Sequence, residues 1–178
     1  MAARRGPLLL VAVLVATGCS DDQGHEVDSD AASTVTVTSD AFAEGDTVPE
    51  RFTCDGEEVS PPLAWSGGQA AAWALVVDDP DAPGGTYVHW VVVDIAEPTT
   101  AVRTGEVPAG GVQIANSAGD ASYAGPCPPG GEHRYRFTVY ALDATTGLTE
   151  RASTTEALDA IRDHATAQGR LTAVYARP

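Results

Sequence analysis

Lysine does not occur in this chain. Its 10 basic residues are all arginines, and they stand against 25 acidic ones, for a formal charge of −15. A surface of that sign repels polyphosphate chains and anionic headgroups, which excludes a nucleic-acid partner. Any anion site has to be local, and salt permits one because exposed charges more than about 10 Å apart are screened at 0.1 M. The familiar signatures of catalysis are missing too. There is no G-x-S-x-G elbow, C-x-x-C pair, H-E-x-x-H, P-loop or G-x-G-x-x-G, which removes the common hydrolase, redox, zinc-protease and nucleotide readings. No internal repeat is found. No apolar run approaches the roughly 20 residues that a membrane-spanning helix requires.

The longest apolar run, Leu8 to Ala16, follows Arg4 and Arg5 and leads through Thr17 and Gly18 to Cys19. A basic start, a short apolar stretch and small residues make an export signal. Ending directly at a cysteine, the segment resembles the bacterial lipobox, although Ala16 stands where leucine is usual. Residues 1–18 are therefore expected to be removed, with Cys19 acylated as the new first residue. A plain cleaved signal and a buried core helix are the alternatives. The charged stretch after Cys19 has nothing to pack and disfavours the helix. Each buried CH₂ of an acyl chain contributes about 0.8 kcal/mol, and two or more chains make anchoring stable. The expected location is the extracytoplasmic side of a bacterial cell membrane, held by this lipid.

The remaining 160 residues suffice for one domain with its own core. Without Arg4 and Arg5 the balance is 8 basic residues to 25 acidic, a formal charge of −17. Residues 19–33 comprise the lipidated cysteine and an acidic, Ser/Asp/Ala-rich spacer, expected to be disordered with a reach of roughly 20 Å. The folded domain is expected over 34–178. Cys54 and Cys127 are the only other cysteines. In an exported chain an isolated pair points to a disulfide, with free thiols or a reactive nucleophile as alternatives. A loop of that length gives an entropic contribution of about 4 kcal/mol.

Strand patterns begin at Thr34 to Thr38, where β-branched residues dominate. Ala72 to Val77 and Tyr87 to Val93 are apolar on both alternating faces, as central strands covered on both sides are. His133 to Leu142 and Leu171 to Tyr175 read as further strands. One helix is expected from about Thr154 to Ala167. Ser153 and Glu156 have capping-box spacing, Leu158, Ile161 and Ala165 make an apolar stripe, and Gly169 ends it. The fold class is mainly β, a sandwich with a peripheral helix near the C-terminus.

Three segments carry candidate chemistry. Asp78-Asp79-Pro80-Asp81-Ala82-Pro83 follows an apolar strand. Pro80 favours an extended Asp79, and Ala82-Pro83 is a candidate cis bond. Alone, the segment is an acidic turn with side-chain-to-backbone bonds. His89 lies within the most apolar strand, where alternation puts it on the face of Val91 and Val93 and opposite Trp90. Alone, it is a core histidine. Tyr123 to Tyr135 joins a rigid proline turn to a strand in which His133 and Tyr135 share one face and Arg134 and Arg136 the other. Trp65, Trp73 and Trp90 are expected in the core. His25 and His164 are expected to be solvated and without a role.

Taken in order, D-P-D-A-P, H-W-V-V and Y-x-G-P-C-P-P-x-G-x-H-R-Y resemble the phosphatidylethanolamine-binding protein family, in its bacterial Raf-kinase-inhibitor-like branch. Phe52 to Gly56, Ser60 to Trp65 and the closing Gly169-Arg170-Leu171 with Tyr175 and Arg177 support this. The resemblance covers nearly everything from about residue 35 to 177. One departure is Asn116-Ser117-Ala118-Gly119, where bacterial members often have an aromatic residue before the glycine. The resemblance implies a β-sandwich with a small anion pocket and no required cofactor or metal. Asp79, His89, His133, Tyr135, Gly125 and Pro126 are carried over as its residues. Imidazole N–H, phenol O–H and backbone amide are donors, which a phosphate or carboxylate needs. Asp79 is expected to hold a histidine rather than face the anion.

The expected function is thus a non-catalytic binding protein for a phosphorylated or carboxylated group or a lipid headgroup. Family relatives include kinase and protease inhibitors, so inhibition of an extracytoplasmic peptidase is a second reading. A metal-dependent hydrolase using Asp79, His89 and His133 is a third.

Overall fold

The computed structural model describes residues 32–33 and 35–178. The expected signal segment, Cys19 and nearly all of the spacer lie outside the described residues. Ala32–Ser33 (β1), which composition assigned to the spacer, pair in parallel with Ala167 and Gln168.

The other strands are β2 (Thr36–Thr38), β3 (Leu63–Ser66), β4 (Ala72–Asp79), β5 (Tyr87–Ala96), β6 (Ala101–Val102), β7 (Val112–Ile114), β8 (Glu132–Leu142) and β9 (Ala165–Ala176), with one helix, α1 (Thr154–His164). They form a six-stranded sheet, β1-β9-β8-β4-β5-β7, and a three-stranded sheet, β2-β3-β6. The short strands β3, β6 and β7 were not read from the sequence. Two to four residues carry too little periodicity to be seen.

Why β4 and β5 are apolar on both faces is now plain. One face of the large sheet, with Leu75, Val77, Val92, Phe137 and Val139, packs on Val37, Leu63, Trp65 and Val102 from the small sheet's side. The other face, with Ala74, Val76, Val91, Val93 and Tyr140, packs on Ala157, Leu158 and Ile161 of α1. Each Val, Leu, Ile or Phe among them contributes roughly 1.5–3 kcal/mol on full burial. Trp65, Trp73 and Trp90 are all buried, as expected.

The helix starts as read, at a capping box in which Ser153 and Glu156 bond reciprocally. Its end differs. Helical backbone stops at His164, Ala165 is extended, and β9 pairs with β8 from Ala165 to Ala176. Continuous ladder bonding to β8 outweighs three more helical residues. Gly169 therefore caps no helix. It sits in mid-strand, where a Cβ would collide with the Val35 carbonyl. Ala82-Pro83 is not cis either, since no described peptide bond is. Gly84 and Gly85, at φ of +93° and +116°, reverse the chain instead.

Candidate functional site

The site forms where the ends of β4, β5 and β8 meet two loops. Consecutive strand residues point to opposite sides, so Asp78 and Asp79 face different neighbours. Asp78 forms a two-pronged ion pair with Arg136, at 2.6 and 2.8 Å. Asp79 Oδ2 lies 2.7 Å from His133 Nδ1, both side chains being buried. Beyond Pro80, Asp81 takes Arg134 in the same two-pronged way. This Arg134 guanidinium holds the Asp81 carboxyl at about 2, well below its ordinary 3.8. The acidic turn is also a side-chain-bonded one, because Asp81 N–H donates to Asp79 Oδ1 at 2.8 Å. The acidic and basic segments thus clamp the ends of β4 and β8.

His89 departs from the alternation expected for it. Val77 pairs with Trp90 while Asp78 pairs with Val88, so His89 is the extra residue of a β-bulge. Val88 stays with Val91 and Val93 in the helix-side core. The His89 ring instead meets Tyr135, 5.4 Å away edge to face, on the side of Trp90. A bulge re-aims one side chain in this way, and nothing in an apolar run announces it. Tyr87 covers the ring's other flank at 4.8 Å.

His89 Nδ1 is 2.8 Å from the Ala124 carbonyl. A carbonyl only accepts, so Nδ1 carries the proton. Burial lowers the pKa of this histidine, against a smaller opposing pull from Ala124 and nearby carboxylates. In the neutral ring, Nε2 is then an acceptor, and it becomes a donor only on protonation. Among the described residues the buried Tyr135 hydroxyl makes no hydrogen bond of good geometry, although the Asp79 carboxylate and the Cys127 amide stand close enough to act on it. Burial and the Asp79 charge raise its pKa far above the ordinary phenol range, so it keeps its proton and can donate.

A cavity of about 490 Å³ opens among these groups. Asp79, His89, Tyr135 and Gly125 line it, together with Tyr87, Glu58, Asp120, Ala82, Pro83, Ala118 and both bridged cysteines. Two of the sequence-derived residues are not in its wall. His133 stands behind Asp79, and Pro126 is a buried strut whose carbonyl accepts Cys54 N–H at 3.1 Å. Asp79 was expected to hold a histidine only. It does hold His133, and it forms wall as well. Asp79, His89 and His133 do not assemble a metal site: among the described residues no three His, Cys, Asp or Glu are placed to share an ion.

Glu58, Tyr87 and Asp120 were missed by sequence reasoning. Glu58 is the second residue of the acidic pair Glu57-Glu58 in a loop and carries no motif signal, although its backbone at φ +56° is unusual for such a residue. The wall at Ala118 is built by Asn116, whose Oδ1 accepts from the Ala118 and Asp120 amides. A small alanine at this position leaves the wall open. Cys54 and Cys127 are joined, with Cα atoms 5.4 Å apart, and tie the two loops across the cavity. His164, expected to be solvated, pairs with Asp143 at 2.8 Å and does not line the cavity.

Comparison with known proteins follows the same segments. A family model described as phosphatidylethanolamine-binding protein matches residues 38–176. A UPF0098 protein of Mycobacterium tuberculosis is 47% identical over 143 residues, covering 79% of this chain and 70% of the relative. A candidate lipoprotein of the same organism, LppC, is 46% identical over 148 residues, covering 82% and 74%. Among solved structures, Escherichia coli YbcL, described as a new member of the mammalian family, superimposes with a TM-score of 0.77 at 30% identity. It covers 82% of this chain and is itself covered completely. A candidate homologue from Chlamydia trachomatis superimposes with a TM-score of 0.76 at 32% identity, covering 83% and 100%.

Proposed function

The chain belongs to the phosphatidylethanolamine-binding protein family, and from that premise we propose that it is a non-catalytic receptor for a small anionic group, a phosphate or carboxylate. The observation carrying this reading is the Tyr135 hydroxyl, buried at the cavity without a well-formed hydrogen bond among the described residues and beside the His89 ring. A buried donor left unmade costs about 1–3 kcal/mol, and a ligand oxygen relieves that cost. His89 supplies a second donor from Nε2 once protonated, and the Gly125 amide a third. Both oxygens of Asp79 are already engaged, by the Asp81 amide and His133. Its charge is therefore partly offset, and it fixes the wall rather than reacting. Neither lining cysteine offers a thiol nucleophile, since both are bridged, and the Tyr135 hydroxyl beside the His89 ring holds its proton too tightly to become an activated nucleophile.

The protein is further read as lipid-anchored through Cys19 on the extracytoplasmic face of a bacterial membrane. The name of the relative LppC as a candidate lipoprotein supports this.

Titration with inorganic phosphate and with phosphoethanolamine, followed by NMR, tests the reading. Resonances of the His89 imidazole and the Gly125 amide should shift, with Tyr135→Phe weakening the response and His89→Ala abolishing it. Silence at both positions with every anion tried would sink it.

A further inference from the structure

The Gly125 amide is already taken. Its N–H donates to Glu58 Oε1 at 3.2 Å, a contact between residues 67 apart in sequence. We propose that Glu58 is a built-in competitor for the anion site, and that an anionic ligand gains the Gly125 amide only by displacing the Glu58 carboxylate. This rests on the reading that the cavity accepts an anionic oxygen.

Four observations converge on it. First, a carboxylate oxygen on a backbone N–H is what a bound carboxylate or phosphate would look like, and here the chain supplies that oxygen itself. Second, the amide is fixed. A Cβ at Gly125 would lie 2.9 Å from the Thr53 backbone, the next residue's carbonyl is bonded to the Cys54 amide, and the disulfide ties the same two loops. Of the two partners, only the Glu58 side chain is free to leave. Third, Glu58 is exposed, so its departure sacrifices little burial. Its backbone nevertheless sits at φ +56°, a conformation that residues with long side chains seldom adopt and one that concentrates at functional sites. Fourth, the lining holds the carboxylates of Glu58, Asp79 and Asp120 and no arginine. A ligand anion entering beside Glu58 would be repelled, and outward rotation of that side chain removes both the repulsion and the competition.

The consequence is a site whose affinity for simple anions is held down by the protein itself. It rises when Glu58 is neutralised, removed or drawn away. Asp120 supplies the control, being a cavity carboxylate that makes no contact with the Gly125 amide.

The experiment measures binding of inorganic phosphate by calorimetry, and the Gly125 amide by NMR, in the wild type, Glu58→Ala, Glu58→Gln and Asp120→Asn. Glu58→Ala should tighten phosphate on the order of tenfold, the size expected when one nearby like charge is removed. Without phosphate it should move the Gly125 amide resonance upfield, and added phosphate should move it back. Glu58→Gln keeps the acceptor without the charge and should fall between wild type and Glu58→Ala. Asp120→Asn should gain less and leave the ligand-free Gly125 amide where it was. Wild-type binding that Glu58→Ala fails to tighten overturns the competitor and leaves the anion reading intact. A gain from Asp120→Asn equal to that from Glu58→Ala also overturns it, because bulk charge alone would then explain the effect. Failure of wild type and all three variants to bind overturns the anion reading, and the competitor with it.

Discussion

At the scale of single residues, His89 shows how a buried imidazole acquires a defined role. The Ala124 carbonyl fixes its tautomer, and burial disfavours its charge. Its folded pKa therefore lies below 6.5, the ordinary value. Between these two values the unfolded chain holds the extra proton, so stability falls as pH is lowered through that window. Asp81 adds a second loss at lower pH. Its carboxyl stays near 2 in the fold, so the contribution from its pairing with Arg134 is present above 3.8 and disappears as pH falls toward 2. An NMR titration of the ring protons should give His89 a midpoint below 6.5, and saturating phosphate should raise it. A midpoint at or above 6.5 in the free protein would contradict the burial argument.

At the scale of elements, β9 is the instructive case. It forms twelve residues of strand directly after the helix, with Gly169 placed where the backbone of Val35, just ahead of β2, leaves no room for a side chain. Gly169→Ala forces the Val35 backbone away and should cost about 1–3 kcal/mol, as overpacking does. The check is urea unfolding, with a lower midpoint and an unchanged slope. Ser153→Ala, at the other junction of this segment, removes a reciprocal cap and should cost about 1 kcal/mol by the same measurement. Both changes lie away from the cavity, so phosphate binding to the folded variants should match the wild type.

The whole molecule is held across its long loops by the Cys54–Cys127 bridge, which spans 73 positions. In the chain-entropy picture its reduction should cost about 4 kcal/mol, read as a lower denaturation midpoint with reductant than without. The same treatment releases two lining residues of the cavity, so phosphate affinity should fall even where the reduced chain remains folded. The proposed attachment to a membrane also belongs to the scale of the whole chain. None of the described helices is long and apolar enough to cross a membrane, and the strongly acidic body would be repelled by anionic headgroups. Any attachment would then rest on the proposed tether at Cys19. Cys19→Ser should lose incorporation of a labelled fatty acid and shift the protein from the membrane fraction to the soluble one.

Much of this protein was determined by sequence alone. Long strands whose two faces are both apolar had to be central, Ser153 and Glu156 had to begin a helix, and Asp79, His89, Tyr135 and Gly125 were legible as one group through their ordered motifs. These signals are local or periodic, which is why a linear reading finds them. Tertiary structure decided the rest. The bulge that turns His89 toward Tyr135 depends on pairing with β4, and the early end of α1 depends on pairing with β8. The demotion of His133 and Pro126 from wall to support follows from what stands in front of them. Glu58, with no motif around it, reaches the Gly125 amide only because folding closes a gap of 67 residues. Contacts across such gaps depend on the whole core and leave no mark in the neighbouring sequence.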